Sequence, residues 1–228
     1  MKNKMSLYFL SAFAVLLFQS SLYAFPDKKT FGGCKAYPAH YDSINNCYLL
    51  RNEQTKFRRK FLRGSVEVVG YNTLSMALLF ALPQNVSMWH KPDVKSVNAQ
   101  YRRSFTHIPV YDPDPWYINY IGHPYAGSCY YNSVRSQGAK FWQAILFTTG
   151  HSIVWEYLTE GGLEQPSIQD LVVTPVVGSI LGELFHHATI KMSRNGFRWY
   201  EKIFVCVFNP MFAINNGFRY ANNYQHFP

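Results

Sequence analysis

Apolar residues recur at helical spacing along most of the chain, and the alternating stretches typical of strands are short. Proline and glycine mark the ends of the apolar segments, with Pro83 after the first and Gly161-Gly162 after the third. The pattern predicts helices over residues 65–82, about 124–138, 139–159, about 174–190 and 198–208. We therefore expect a mainly α protein, a compact bundle of about five helices after an irregular N-terminal segment.

Two start signals precede the fourth apolar segment. Ser167-Ile-Gln-Asp170 has the serine-to-acid spacing of a helix N-terminus, loosely a capping box. Thr174-Pro175 fits a further N-cap followed by proline in the first turn. The second signal predicts that a new helix begins at Thr174 and runs to about Ile190.

The first 24 residues read as a secretory signal peptide. Lys2 and Lys4 form a basic start, Leu7–Phe18 is apolar, and Ala24 supplies a small residue for cleavage. The alternative is an uncleaved anchor helix, and either interpretation places the chain outside the cytoplasm, in the periplasm or cell envelope. We expect an irregular basic segment over 25–63 and a helical domain over 64–228.

Charge and aromatic content limit the classes of molecule that the protein is expected to bind. The net charge is +9, charged residues make up only 15% and aromatic residues 18% of the 228 residues. A basic run over 51–63 is either a solvated helix face or a contact with anionic headgroups. No nucleic-acid recognition motif accompanies the charge, so we expect a membrane surface or envelope component as partner and no nucleic acid.

The four cysteines fall into two kinds. Cys34 and Cys47 lie close together in a Gly/Pro/Asn-rich stretch, and an exported compartment permits them to form a disulfide. Cys129 and Cys206 lie in aromatic and apolar surroundings and are predicted to be buried free thiols.

The segments 139–158 and 172–190 are long enough to be marginal membrane spans. Basic residues lie at both outer ends of this hairpin and acidic residues at its tip, in agreement with the positive-inside rule. Costly polar groups such as Glu156 and Glu183 lie within the segments. We favour a bundle that sits at a membrane over one that spans it cleanly.

A narrow polar stripe follows the predicted helix 139–159. At 100° per residue, Thr149, Ser152 and Glu160 all lie within about 40° of Glu156, and the rest of the helix is mostly apolar. The stripe is either the wet face of a surface helix or an internal polar seam. Two buried carboxylates one turn apart would need a cation, a metal or shared protons.

The next segment carries Glu183 three and four residues before His186 and His187. Glu-x-x-His is the pairing used in carboxylate-bridged metal bundles, so these three residues are candidate ligands of a divalent metal. The alternative is a hydrogen-bonded histidine pair near a helix end. Gly178 and Gly182 precede them one turn apart and predict a close helix approach.

His123 and Arg135 flank the predicted helix at about 124–138. An arginine in a buried aromatic stretch needs a carboxylate partner, and Glu156, Glu160 and Glu183 are available. These five residues are the candidates for catalysis. The nucleophile elbow, phosphate-binding loop and dinucleotide fingerprint are all missing from the sequence.

Residues 112–220 resemble an uncharacterised family of exported Gram-negative proteins, the domain of unknown function 3943, and the matching motifs lie after Trp116. The matching pieces are Asn119, His123-Pro-Tyr-Ala-Gly-Ser128, Tyr130-Tyr131, Arg135-Ser-Gln-Gly138, Ser152-Ile-Val-Trp-Glu-Tyr157, Glu160, Ser167-Ile-Gln-Asp-Leu171, Thr174-Pro175, Gly178, Gly182-Glu183 and Asn209-Pro-Met211. The resemblance implies a cell-envelope location and no established activity or cofactor.

Two functions remain open from the sequence. The first is a structural or ligand-handling envelope protein with a polar cluster inside a helical bundle. The alternative is a hydrolase acting on lipid or cell-wall material through the glutamates and His123, with possible help from a divalent metal.

Overall fold

The structure is a computed structural model that describes residues 41–42, 47–48, 50–52, 55–83, 94–194 and 196–218. These contain seven α-helices: α1 (Phe57–Ala81), α2 (Val94–Thr106), α3 (His123–Arg135), α4 (Phe141–Val154), α5 (Ile168–Arg194), α6 (Trp199–Phe208) and α7 (Pro210–Asn216). Strands β1 (Tyr41–Asp42) and β2 (Cys47–Tyr48) pair antiparallel, with Tyr41 opposite Tyr48. The mainly α prediction is confirmed. The predicted signal peptide and Cys34 lie outside the described residues.

Helix α3 occupies the centre, packed against α1, α4, α5 and α7. Every residue from 127 to 137 is buried, although most are polar. Many of their polar atoms form hydrogen bonds inside the protein: the Asn132 amide donates to the carbonyls of Ser128 and Gly182, and Gln137 donates to the carbonyl of Lys60. Cys129 and Cys206 are buried free thiols, as predicted.

Helices α3 and α5 touch backbone to backbone. A Cβ atom on Gly178 would lie 2.6 Å from the Cα atom of Gly127, and one on Gly182 would lie 2.7 Å from the ring of Tyr131. A side chain at either position would force the helices apart. The predicted close approach at Gly178 and Gly182 is confirmed.

Two helices differ from the predicted pattern at the N-terminal side. Helix α1 begins at Phe57, eight residues before the predicted start, because much of the basic run is itself helical. One cation of that run, Lys60, is buried and donates to the carbonyl of Gly138 at 2.8 Å, so the run is not only a solvated face. Helix α2 was not predicted; it lies within the proline-containing sequence 84–115.

The predicted helix start at Thr174 is wrong. Pro175 lies inside α5, which runs unbroken from Ile168 to Arg194. The first start signal prevails because the Ser167 hydroxyl accepts the amide of Asp170 at 3.2 Å, while the Thr174 hydroxyl contacts His123. Asn209 ends α6 and also caps α7, accepting the amide of Phe212 at 3.2 Å.

Polarity is inverted across the bundle. Among the described residues, 24 polar or charged residues are buried against 16 apolar ones, and 29 large apolar residues are exposed. The polar stripe of α4 faces inward, since Ser152, Glu156 and Glu160 are all buried. The apolar majority of α4 faces outward, so the internal polar seam is the correct alternative.

One helix of the described residues, α5, is long and apolar enough to cross a membrane by length and composition alone. Five of its exposed apolar residues recur every fourth position and form a stripe, Ile168, Val172, Val176, Ile180 and Leu184, and Val177 is exposed beside Val176. The α4 segment does not meet the same criterion, so the predicted hairpin of two marginal spans is reduced to one candidate helix.

Candidate functional site

Three ionisable side chains meet where α3 and α5 begin and α4 ends. His123 is the first residue of α3, Glu156 follows α4, and Asp170 lies in the first turn of α5. One potential ligand atom from each lies within 4.8 Å of the others. Among the described histidine, cysteine and acidic residues, these three form the group that comes this close, and we call it the His123 cluster.

Two π-helical turns flank the His123 cluster. Ile118–Gly122 leads directly into His123, and Trp155–Thr159 contains Glu156. A π turn adds one residue to a helical turn and rotates the following side chains relative to a regular helix. Such turns occur frequently at functional sites, and here they contribute to the placement of two of the three cluster residues.

Ser167 ties Glu156 to the start of α5. The amide of Ser167 donates to Glu156 Oε2 at 2.9 Å, and the Ser167 hydroxyl accepts the amide of Asp170. In a standard capping box the acid three residues after the serine would accept that first amide. Here Glu156 from another element takes its place, and the Asp170 carboxylate turns toward His123 instead.

His123 is held by α5. Its Nδ1 atom lies 3.2 Å from the Thr174 hydroxyl and 3.6 Å from Asp170 Oδ1. Burial lowers the pKa of His123 to about 4. The ring is therefore neutral at physiological pH, the form in which an imidazole nitrogen accepts a proton or binds a metal.

Burial also acts on the carboxyl groups of the cluster. It raises the pKa of Glu156 to about 8, against the opposing hydrogen bond from the Ser167 amide, and Asp170 adds like charge. The pKa of Asp170 is raised to about 7, again first by burial and further by Asp112. The neighbouring Glu160 has a raised pKa from burial and from the charge of Glu156. The charged groups acting on Glu156 are all acidic.

The segment after α2 brings further acids to the same end. Val110 pairs with Ser167 in a parallel bridge, and Ile168 donates its amide to the carbonyl of Val110 at 2.9 Å. This pairing holds Asp112 beside the start of α5, where the side chain of Gln169 accepts the Asp112 amide. Burial and Asp112 raise the pKa of nearby Asp114 to about 6.

A second polar group lies at the other end of α3. Arg135 donates to both carboxylate oxygens of Glu183, at 2.8 Å each. The Tyr131 hydroxyl donates to Glu183 Oε2 at 2.6 Å, and His187 Nε2 lies 3.1 Å from Oε1. Burial alone would raise the pKa of Glu183, but the contacts with Arg135 and Tyr131 lower it overall. The predicted pairing of Arg135 with one of three glutamates is confirmed.

The five predicted catalytic candidates therefore divide between two places. His123, Glu156 and the adjacent Glu160 lie at one end of α3, and Arg135 with Glu183 at the other, twelve residues or about 18 Å along the helix. Both oxygens of Glu183 are already bonded to Arg135. Glu183, His186 and His187 do not form a close group of ligand atoms among the described residues.

Sequence reasoning missed Asp170 as a member of the site. It recognised this residue only as the acid of a capping pattern, although Ser167-x-x-Asp170 was the signal that located it. The carboxylate of Asp170 is released for the His123 cluster because Glu156 accepts the Ser167 amide, and that exchange depends on the tertiary fold. Asp112 and Thr174 were also missed, because they too reach the site only through contacts between segments distant in sequence.

Fold and site together define a helical bundle with an apolar exterior and a buried histidine–carboxylate centre. The family described as "Domain of unknown function (DUF3943)" matches residues 108–211, a segment that contains α3 to α6. This match confirms the resemblance noted in the sequence. No curated protein and no solved structure matches the chain significantly.

Proposed function

We propose that the protein is a cell-envelope protein embedded in a membrane surface, where it handles a ligand in its polar interior. The observation that carries the proposal is the inverted polarity of the bundle, with more polar than apolar residues buried and 29 large apolar residues exposed among those described. Water-soluble domains show the opposite arrangement in their cores. Contiguous exposed apolar surface marks a membrane or protein contact.

The stripe on α5 favours lipid as the contact. It contains aliphatic residues with no charge from Leu171 to Gly182, and exposed Phe141, Trp142 and Leu146 add to it from α4. Tryptophan beside aliphatic residues is typical of the membrane interface. The basic residues Lys191 and Arg194 at the end of α5 suit anionic headgroups.

Charge within the helix favours embedding over crossing. Helix α4 and the π turn that continues it, Trp155–Thr159, extend about 28 Å together, close to the roughly 30 Å of a bilayer core, but the buried acid Glu156 lies within that stretch. The charged pair of Arg135 and Glu183 meets α5 beyond its midpoint. An apolar face that sinks into one leaflet satisfies both features.

Tryptophan fluorescence tests this proposal directly. Trp142 is 56% exposed on α4. Trp155, the first residue after α4, is 9% exposed. Variants of the full chain that each keep one of these tryptophans, with phenylalanine at the others, should differ in vesicles of brominated lipid. We expect strong quenching of Trp142 and little of Trp155.

Charge on the stripe provides a second measurement. Val172→Lys with Val176→Lys should move the protein out of the membrane fraction after alkaline carbonate washing. Asn98→Lys with Ala99→Lys on the exposed face of α2 is the matched control and should leave fractionation unchanged. Equal quenching of the two tryptophans, or no difference between these charge variants, would contradict membrane embedding and favour a protein partner at the stripe.

The convergence of His123 and Glu156 favours a second candidate, a hydrolase that acts on lipid or cell-wall material. A neutral histidine beside carboxyl groups of raised pKa is the arrangement that general acid–base catalysis requires. Fluorescent phospholipid and purified peptidoglycan are the two substrates to test with the full chain. His123→Gln and Glu156→Gln should abolish turnover, and Glu201→Gln on α6 should retain it; absence of turnover of both substrates rejects this candidate.

A further inference from the structure

We propose that His123, Glu156 and Asp170 bind one divalent transition-metal ion. This proposal names a ligand of the polar interior but does not require membrane embedding, because it depends on three side chains inside the bundle. It also differs from the site predicted from the sequence, which involved Glu183, His186 and His187.

Unsatisfied oxygens at the centre of the cluster are the first argument. Glu156 is 2% exposed and Asp170 is 1% exposed, yet Glu156 Oε1 and Asp170 Oδ1 have no hydrogen-bond partner within the described residues. Buried carboxylate oxygens without partners cost free energy, which is why most are paired with a cation or a donor. Asp170 Oδ1 points toward His123 Nδ1 at 3.6 Å.

Geometry is the second argument. Ligands about 2.1 Å from a zinc ion at tetrahedral angles lie about 3.4 Å apart. The contact between His123 and Asp170 already has nearly that separation, and all three ligand atoms lie within 4.8 Å. Shifts of about an ångström would bring the three atoms to one ion and leave a fourth position for water or a ligand.

The carboxylates around the cluster also favour a bound cation. No lysine or arginine among the described residues forms an ion pair with Glu156 or Asp170, while Asp112 adds negative charge from the neighbouring segment. Arg135, at the far end of α3, forms its ion pair with Glu183 instead. A divalent ion would supply the missing positive charge at the one point where the carboxylates meet.

The surrounding contacts orient the ligands as in known metal centres. The Thr174 hydroxyl contacts His123 Nδ1 and would yield that nitrogen to the ion, Ser167 fixes one oxygen of Glu156, and the Ser152 hydroxyl donates to the Asp170 carbonyl at 3.4 Å. Such outer contacts set the direction of the ligand atoms. One imidazole with two carboxylates suits Zn²⁺ or Mn²⁺ better than Mg²⁺, which prefers oxygen ligands and retained waters.

Titration calorimetry of the full chain, purified in detergent and stripped with EDTA, tests the proposal. We expect one Zn²⁺ or Mn²⁺ per chain, bound at least tenfold more tightly than Mg²⁺, and a rise in the unfolding temperature upon binding. Asp170→Asn and His123→Gln should each weaken Zn²⁺ binding at least 100-fold. Glu201→Gln on α6 is the control and should bind as the unaltered protein does.

The variant Asp170→Asn also distinguishes a loss of metal binding from a loss of folding. Asp170→Asn removes a desolvated acid from a group of like charges, so its metal-free form should unfold at the same temperature as the unaltered protein or higher. Absence of saturable Zn²⁺ and Mn²⁺ binding, or equal binding by the cluster variants and the control, would overturn the proposal. Either result leaves the tryptophan-quenching test of membrane embedding unaffected.

Discussion

The pair of Arg135 and Glu183 makes the sharpest prediction about stability. Both side chains are largely shielded, at 9% and 18% exposure, and two parallel hydrogen bonds of 2.8 Å join them. Arg135→Met removes the cation and leaves the carboxylate with Tyr131 and His187. Breaking a buried pair from one side costs about 3–5 kcal/mol, and we expect about 3 because these two partners remain.

Thermal unfolding in detergent measures this loss. For a chain of this size 1 kcal/mol corresponds to about 2–4 °C, so Arg135→Met should lower the unfolding temperature by about 6–12 °C. Lys140→Met removes an exposed cation five residues away and should change it by no more than about 2 °C. Arg135→Lys keeps the charge but not the two parallel bonds, so its loss should be intermediate.

A double-variant cycle identifies the partner. Arg135→Met combined with Glu183→Gln should recover part of the loss, because no uncompensated charge remains. Arg135→Met combined with Glu156→Gln should be additive, since Glu156 lies in the distant His123 cluster. Recovery with Glu156 instead, or equal small effects of Arg135→Met and Lys140→Met, would refute the assignment of this pair.

The pH dependence of the same variant has a fixed sign. The pKa of Glu183 in the folded protein is lowered overall, so its stabilisation is present above the ordinary glutamate pKa of about 4.3. It is lost as pH falls through the lowered folded value. The difference between Arg135→Met and the unaltered protein should therefore shrink below about pH 4.

Three further predictions concern packing, charge and thiols. Gly178→Ala should destabilise the bundle by about 1–3 kcal/mol in thermal unfolding, because its Cβ would collide with Gly127. Gly150→Ala is the control: nothing lies within 4 Å of its Cβ, and it should stabilise the helix by up to about 1 kcal/mol. Because the pKa of Glu156 is raised to about 8, the metal-free protein should lose stability as pH rises from 5 to 8; Glu156→Gln should show a smaller loss over that range, and an unchanged slope would contradict the assignment. Cys34 and Cys47 should react with a thiol reagent only after reduction, and a free Cys34 in natively purified protein would exclude the disulfide.

Helical periodicity predicted most of the fold because apolar spacing and helix-end residues act locally. The boundaries of the second and fifth predicted helices, about 124–138 and 198–208, needed little correction, as Pro124 and Asn209 fix them within a turn. Pro175 misled the prediction because it lies two turns inside α5 rather than in the first turn, where prolines are most common. Helix α2 was not predicted as a helix, because four prolines within residues 84–115 indicated only a long connection that is either functional or partly structured.

The site was harder to predict than the fold because each half of it depends on a contact between distant residues. The sequence indicated that the α4 glutamates face a polar seam and that Arg135 needs a carboxylate. It could not decide which of three glutamates Arg135 would meet. Helix angles alone place Glu156 and Glu160 on the same face, but the π turn at 155–159 alters that register where Glu156 lies.

The two polar groups on α3 use their carboxylates differently. At the C-terminal end, Glu183 receives three donors from Arg135 and Tyr131, so its charge is compensated within the protein. At the N-terminal end, Glu156 and Asp170 share the vicinity with further acids and retain oxygens without a partner. A protein can hold a compensated pair for stability alone, as the first group does. The second group is destabilising in the isolated chain, which is the condition expected of a centre completed by a bound cation.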